Sequence, residues 1–498
     1  MEEDIGQKIK TGALWTYVQT VVVTGSQFVA GVLLARMLGP EDFGVFIAVT
    51  AITAILSMQV KFGLDHAIVQ AKEINDEQIN ACFWVMQSIA LILAVLFYFC
   101  LPYLQDVYED PRFIGLSLVM MVSFFLIPIN SINQARIRRD LRFVLLSKTY
   151  MSSIFVALAV SLLLAYFGFG PYSMAISGLF VMVVELFLYA RYQVLWLPRW
   201  PSFRSVSALA RYGWFANINS IQSTITEKID NILIGIYLNT NLLAIYNRAY
   251  SLARLPVTEL GQSIFPVVFG GLSRAQHDED YTRALYQKSL CTLSLVVFPF
   301  LVLFLFIGES FIQVLYGSEW IGAAEPLKYM IVGAFATLFS ITLRSIVAAQ
   351  NLVAKEVWIN LAGMVITIGV VVGFSQWGLT AIAIGISVRE IVVLLLLKQL
   401  IHRSSINIGW VDLWQAAWPS LLACSVMAAL TALFMADIRS WVPGDLGYLV
   451  MVSVSMGAIY ALTVGVLLLV FRNHMGLRAT GDVIVDTGLA ALKQVRKG

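Results

Sequence analysis

Residues 79–101 read INACFWVMQSIALILAVLFYFCL, a run of 23 residues without a charged side chain. A helix of about 20 mostly apolar residues is long enough to cross the hydrocarbon core of a bilayer. Similar runs recur along the whole chain of 498 residues. This pattern predicts an all-α polytopic membrane protein.

The composition agrees with the apolar runs. The chain is 59% hydrophobic and only 13% charged, whereas soluble domains are about 45–50% apolar and about 25% charged. The four cysteines lie inside apolar runs and the four histidines are scattered, which predicts neither a disulfide framework nor a metal site. Because the basic residues are dispersed and the net charge is only +3, we expect no nucleic-acid partner. We also expect no cofactor.

Fourteen segments are long and apolar enough to be predicted as spanning helices. Short connections join them, and the seventh and eighth are the ones that carry several charges. The predicted spans are 12–35, 43–63, 79–101, 113–133, 149–167, 171–190, 213–237, 243–271, 289–307, 328–350, 357–376, 378–397, 412–435 and 447–471.

The distribution of basic residues predicts the orientation. An even number of spans places both termini on one side of the membrane. If that side is the cytoplasm, 25 of the 33 lysines and arginines fall in cytoplasmic segments and three fall in the opposite segments. Since cytoplasmic loops carry the excess of lysine and arginine, we predict that both termini are cytoplasmic. Met1–Lys10 is partly acidic and lacks a cleavage site, so no signal peptide is predicted.

Spans one to six and seven to twelve occupy blocks of nearly equal length. Segments 33–46 and 233–246 share a pattern in which an apolar helix ends, a tight turn follows and another helix begins. This suggests an internal duplication, an arrangement in which transporters place their site between two repeats. The predicted domains are an N-terminal lobe 1–195, an interfacial linker helix 196–212, a C-terminal lobe 213–402, an extra helix pair 403–475 and a cytoplasmic tail 476–498.

Charged side chains within spans are concentrated in the C-terminal lobe. Each costs about 2.5–3.5 kcal/mol on insertion scales, and such residues usually face a bundle interior or a water-filled cavity. Guanidinium groups match phosphate and carboxylate oxygens, whereas partly buried carboxyls can take up protons or sodium. The predicted substrate-binding residues are Arg248, Arg254, Arg344, Arg389 and Lys228. The predicted ion-coupling residues are Glu227, Asp230, Glu259 and Glu390.

A structural interpretation of these charges stays open, because internal ion pairs could fix the register between helices. Glu185 is the one clear intramembrane acid of the first lobe. The chain contains no GxxxxGK[ST] phosphate loop, no GxSxG and no HExxH, and no large outer loop to hold a catalytic site. We therefore predict that the protein is not an enzyme.

Four motifs carry a resemblance to a known family: LARMLGPEDFG at 34–44, KFGLDHAIVQ at 61–70, YNRAYSLARLP at 246–256 and the segment 265–276. In these motifs the chain resembles the Wzx-type polysaccharide flippases of the multidrug/oligosaccharidyl-lipid/polysaccharide exporter superfamily. It is most similar to the colanic-acid and teichuronic-acid-type branch. The resemblance covers essentially the whole chain.

The resemblance implies two six-helix lobes that form a V-shaped central cavity, with a C-terminal helix pair. It implies movement of an undecaprenyl-diphosphate-linked oligosaccharide from the inner to the outer leaflet of the bacterial cytoplasmic (inner) membrane, by alternating access coupled to a proton or sodium gradient. The implied partners are this lipid-linked oligosaccharide, membrane lipids and polysaccharide polymerase machinery.

Two other functions are considered. A drug/cation antiporter of the same superfamily would favour an acidic cavity, whereas Arg248, Arg254 and Arg389 favour an anionic cargo. A membrane glycan polymerase or ligase would need a sizeable outer loop with catalytic arginine or histidine, which the sequence lacks.

Overall fold

The computed structural model describes residues 2–200, 207–274, 279–402, 408–441 and 444–470. Within these ranges all the regular secondary structure consists of helices, joined by short non-helical connections. The helices are α1 Glu2–Met37, α2 Pro40–Lys61, α3 Leu64–Gln70, α4 Asp76–Tyr108, α5 Arg112–Arg139, α6 Phe143–Tyr166, α7 Tyr172–Arg191, α8 Ser207–Tyr237, α9 Thr240–Arg274, α10 Glu279–Leu315, α11 Ala324–Ala349, α12 Val353–Phe374, α13 Gly378–His402, α14 Trp410–Trp441 and α15 Asp445–Val470.

The predicted fold class is confirmed. Each of the fourteen predicted spans corresponds to one long helix, and α3, a helix of seven residues, is the only described α-helix that was not predicted as a span. Eleven segments of the described chain are long and apolar enough to cross a membrane, with α12 and α13 forming a single segment of 50 residues. α8 and α9 are not among these segments. They are also the helices to which the sequence assigns most of the charges.

Local sequence sets the ends of the helices. Asn75 caps α4 by accepting a hydrogen bond from the Gln78 backbone N–H, while the Gln78 side chain accepts one from the Asn75 N–H, and this reciprocal pair satisfies two exposed donors of the first turn. Phe62 and Gly63 both adopt left-handed backbone conformations between α2 and α3. Glycine takes this conformation without steric cost, so Gly63 lets the chain turn sharply.

Contacts divide the chain into two compact units, Met1–Ile245 and Tyr246–Gly498. In the first unit α6 packs on α7 and on α1, and α8 packs on α2. The turn that follows α2 approaches the backbone of α8 very closely: a Cβ at Gly63 would lie 2.4 Å from the Gly213 carbonyl oxygen. A Cβ at Gly44 would lie only 1.8 Å from the carbonyl oxygen of Thr240. Glycine is therefore required at both ends of α2.

The segment after α7 is fixed to the first unit by two buried asparagines. Asn133 accepts a hydrogen bond of 2.7 Å from the Trp196 N–H and donates one of 3.2 Å to its carbonyl. Asn80 likewise accepts from the Arg199 N–H at 2.8 Å and donates to the Trp200 carbonyl at 2.8 Å. Residues 194–200 are not helical, and we call them the inner strap.

In the second unit α11 and α13 form an intimate pair, and α12 packs on α13. The predicted extra pair, α14 and α15, packs on α10. Ser294 and Ser420 are hydrogen-bonded at 2.9 Å, and the Tyr460 hydroxyl donates to the Leu295 carbonyl at 2.6 Å. The division into two six-span lobes stays a prediction. Of the predicted linker helix 196–212, residues 196–200 are not helical and residues 207–212 belong to α8. The predicted tail 476–498 lies outside the described residues.

Candidate functional site

A cluster of charged side chains lies inside the second unit, where α9 and α13 contribute its centre. Arg389 Nη1 donates a hydrogen bond of 2.6 Å to Glu390 Oε1. Arg254 Nη1 lies 3.7 Å from the same carboxylate oxygen. Two guanidinium groups from different helices thus share one carboxylate, and this pairing holds Arg254 against α13.

A second ion pair extends the cluster towards α12. Arg344 on α11 donates to Glu356 Oε1 and, at 3.1 Å, to Asn360 Oδ1. Glu356 and Asn360 are four residues apart and therefore share one face of α12. The three arginines and Glu390 act on one another electrostatically. With three arginines and two glutamates, the cluster has a formal charge of +1.

Small residues create the space for these side chains. A Cβ at Gly333 on α11 would lie 3.0 Å from the Ser387 Cα on α13. The Ser387 hydroxyl also donates a hydrogen bond of 2.8 Å to the Tyr329 carbonyl. The two helices α11 and α13 therefore pack closely. A Cβ at Gly363 on α12 would lie 3.4 Å from Nε and Nη2 of Arg389. Gly363 therefore leaves room for the Arg389 guanidinium between α12 and α13.

The cluster combines burial with partial access. Glu390 is buried, whereas the side chains of Arg254 and Arg344 keep 31% and 32% exposure. Arg389 Nε is buried and has no hydrogen-bond acceptor within the described part of the chain. A small crevice beside the cluster is lined by Tyr250, Arg254, Thr337, Ser387 and Glu390. A partly accessible, net-positive group of guanidiniums with an unused N–H can bind an anion.

Arg248 lies apart from this cluster, between two aromatic rings. Its guanidinium carbon is 4.3 Å from the centre of the Tyr316 ring and 4.9 Å from that of Trp320. Trp320 is almost fully buried. Burial raises the pKa of the Tyr316 hydroxyl, and the neighbouring Arg248 charge opposes that rise. Cation–π contacts of this kind stabilise a partly desolvated charge, so Arg248 packs against the connection between α10 and α11.

Three of the four remaining predicted residues lie on α8 in the first unit. Lys228 Nζ is 2.8 Å from Glu227 Oε1, and the Glu227 side chain is 68% exposed. Asp230 is buried, and its Oδ1 accepts a hydrogen bond of 2.7 Å from the Asn231 N–H. Glu259 lies outside the described side chains. Of the nine predicted residues, the structure brings together Arg254, Arg344, Arg389 and Glu390.

Three members of the cluster were missed by sequence reasoning. Glu356 and Asn360 lie at the beginning of α12, and Tyr250 accepts a hydrogen bond from Arg254 Nη1. The four-residue spacing of Glu356 and Asn360 is a signal that could have paired them on one helix face. Tyr250 and Arg254 have the same spacing on α9.

The fold is that of the transporters of the multidrug/oligosaccharidyl-lipid/polysaccharide exporter superfamily. The structure is similar to an inward closed conformation of the lipid II flippase MurJ, with a TM-score of 0.70 and 15% identity over 92% of this chain and 98% of that chain. It is also similar to an inward-facing multidrug resistance MATE transporter of the MOP superfamily, with a TM-score of 0.57 and 16% identity over 79% of this chain and 96% of that chain. At these identities the likeness establishes the fold.

The family follows from the sequence. Residues 33–325 match the family described as "Polysaccharide biosynthesis protein", and the chain belongs to this family. The teichuronic acid biosynthesis protein TuaB of Bacillus subtilis is 25% identical over 68% of this chain and 70% of its own length. The lipopolysaccharide biosynthesis protein WzxC of Escherichia coli is 23% identical over 66% of this chain and 67% of its own length. The predicted resemblance is confirmed: this is a multi-pass membrane protein of polysaccharide biosynthesis with a transporter fold.

Proposed function

We propose that the protein is a flippase that moves an undecaprenyl-diphosphate-linked oligosaccharide from the inner to the outer leaflet of a bacterial cytoplasmic membrane. Its termini lie in the cytoplasm, and alternating access is coupled to an ion gradient. The single observation that carries the proposal is the half-buried, net-positive cluster of Arg254, Arg344 and Arg389 within a transporter fold. The names of the relatives support the same class of cargo.

The chemistry of the cluster suits a diphosphate. A diphosphate presents several phosphoryl oxygens, and a planar guanidinium fork can contact two of them at once. Arg389 Nε is a buried donor without an acceptor among the described residues, and leaving such a donor unsatisfied costs about 1–3 kcal/mol. An incoming phosphate oxygen would remove this cost. Glu390 lies between Arg254 and Arg389 and holds both in place in the absence of cargo.

An ion gradient and the membrane potential supply the energy in this mechanism. Moving one charge through 100 mV changes the free energy by about 2.3 kcal/mol, so a charged cargo or a bound ion biases the direction of the cycle. The sign of the cluster speaks against an organic cation as cargo. Polysaccharide polymerase machinery would receive the product at the outer leaflet.

The test measures translocation in liposomes that contain the purified full-length protein and a fluorescent undecaprenyl-diphosphate-linked oligosaccharide, compared with an organic cation dye. We expect the wild type to move the lipid-linked oligosaccharide and not the dye. We expect Arg389→Gln and Arg254→Gln to slow it at least tenfold. The control is Arg191→Gln, which removes an exposed arginine at the end of α7. Translocation of the dye alone, or equal rates in all variants, would contradict the proposal.

A further inference from the structure

We infer that Glu185 is the carboxyl in the first unit that binds and releases one proton during the transport cycle. The inference rests on the proposed function for its role in transport, and it goes beyond the residues for which the sequence predicts ion coupling. It follows from where α5, α6 and α7 place this side chain and from the groups that surround it.

Glu185 is the most deeply buried carboxylate of the described chain, with 3% exposure. It lies on α7, which packs on both α6 and α5. Its Oε2 accepts one long hydrogen bond, 3.2 Å, from Gln134 Nε2 on α5. Its Oε1 is buried and has no hydrogen-bond partner among the described residues. Half of the carboxyl is therefore left without a donor.

The other buried carboxylates of the described chain are in different surroundings. Asp230 accepts a hydrogen bond from the Asn231 N–H, and the remaining three lie in ion pairs. Asp110 is paired with Arg112 at 2.8 Å, Glu390 with Arg389 at 2.6 Å and Asp412 with Arg283 at 3.5 Å. Each of these three carboxylates therefore has a guanidinium partner. Glu185 has no such ion pair within the described ranges. Placing an isolated carboxylate in an apolar interior costs several kcal/mol, and such a group takes up a proton instead.

The groups around Glu185 are suited to accept either protonation state. The hydroxyls of Tyr189 on α7 and Tyr150 on α6 interact electrostatically with the carboxyl. The Tyr189 hydroxyl is buried and lies beside the carboxyl. A hydroxyl can act as donor or acceptor, so it can serve the carboxylate as a donor and the carboxylic acid as an acceptor.

Two cations act on the site from longer range: Arg138 on α5 and Lys61 on α2. Both lie at the ends of their helices. Glu185 is six residues, about 9 Å along the helix, from Arg191 at the end of α7. A small rearrangement of α2, α5 or α7 that brings either cation closer would stabilise the carboxylate and expel the proton. The site can thus alternate between a protonated and an ionised state.

The first test is independent of the cargo. Difference infrared spectroscopy detects the C=O stretch of a protonated carboxyl in the reconstituted full-length protein. We expect a wild-type band at pH 7 that is absent in Glu185→Gln and retained in Glu185→Asp and in Glu325→Gln, which alters an exposed glutamate. If the spectrum of Glu185→Gln still contains the whole band, or if the wild type has no such band at pH 7, the proton site is refuted.

The second test addresses coupling in the liposome assay, with an imposed pH gradient and the fluorescent lipid-linked oligosaccharide. We expect the gradient to accelerate the wild type and Glu325→Gln at least threefold and to leave the rate of Glu185→Gln unchanged. A gradient effect of equal size in Glu185→Gln would refute its role in coupling. If the wild type moves no lipid-linked oligosaccharide, the proposed function fails, while the infrared band still decides whether Glu185 holds a proton.

Discussion

The inner strap gives a stability prediction that can be worked out from its hydrogen bonds. Asn133→Ala removes the acceptor of the Trp196 N–H and the donor to its carbonyl, and both partners are buried. A buried backbone group left without a partner costs about 1–3 kcal/mol. Side-chain hydrogen bonds within membrane proteins average only about 0.6 kcal/mol in double-mutant cycles. Because two backbone groups lose their partner, these figures give limits of about 1.2 and about 6 kcal/mol. We expect Asn133→Ala to lower the free energy of unfolding by about 2–4 kcal/mol.

Asn130 offers a matched control one turn earlier on the same helix. It is also buried, but its side chain donates only to the Leu126 carbonyl of its own helix and its Oδ1 has no partner among the described residues. Asn130→Ala should therefore cost about 1 kcal/mol or less.

The assay is reversible unfolding of the purified protein in mixed micelles of mild detergent and dodecyl sulfate, followed by circular dichroism. If the two variants unfold with equal free energies, the strap contributes no stability and the reasoning is wrong. A difference of about 1.4 kcal/mol corresponds to a tenfold change in the unfolding equilibrium, which this measurement resolves.

Three further predictions use the same unfolding assay or the polysaccharide phenotype. Gly44→Ala should destabilise the protein by about 1–3 kcal/mol, because the added Cβ has no room beside Thr240. The control, Gly31→Ala, should leave the stability unchanged, because nothing lies within 4 Å of that Cβ position. Equal losses of stability in the two variants would show that the close approach at Gly44 is unimportant. Burial raises the pKa of Asp110, but hydrogen bonds from Arg112 outweigh this effect and leave the pKa below its usual value. The pair therefore stabilises the fold fully above about pH 3.9, the pKa of the unfolded chain. This contribution is lost as the pH falls through the pKa of the folded state. Asp110→Asn should flatten that acid limb in a stability profile measured from pH 7 down to about pH 2, and an unchanged limb would refute the assignment. Arg248→Met keeps apolar packing between Tyr316 and Trp320 but removes the positive charge. If Arg248 serves the anionic cargo, surface polysaccharide in a complemented deletion strain should fall at least tenfold at equal protein level. A normal amount of polysaccharide would assign the residue to structure alone.

The sequence was sufficient to predict the fourteen long helices, because each apolar run is interrupted by polar connections. It could not predict α3, since seven residues between Gly63 and Ala71 carry no periodic signal of their own. The two buried asparagines of the strap were also missed. A neutral amide in a span has no sequence feature that reveals whether it bonds its own helix, as Asn130 does, or a distant backbone, as Asn133 does.

The candidate site was predicted in part for a related reason. Helical periodicity indicates which residues share a face, but not which helices become neighbours. Arg254 and Glu390 are 136 positions apart, and only the packing of the second unit brings them together. Glu356 was missed because it lies just before the predicted eleventh span, where a charged residue is expected to face water.

The close packing of α8 on α2 has a consequence for the biogenesis of the protein. α8 carries Glu227, Lys228 and Asp230 and is not among the segments of the described chain that are apolar enough to enter a bilayer unaided. Its partner α2 leaves the ribosome much earlier and is itself strongly apolar. We therefore expect integration of α8 by the translocon to depend on earlier helices such as α2, which would have to stay beside the translocon until α8 is synthesised.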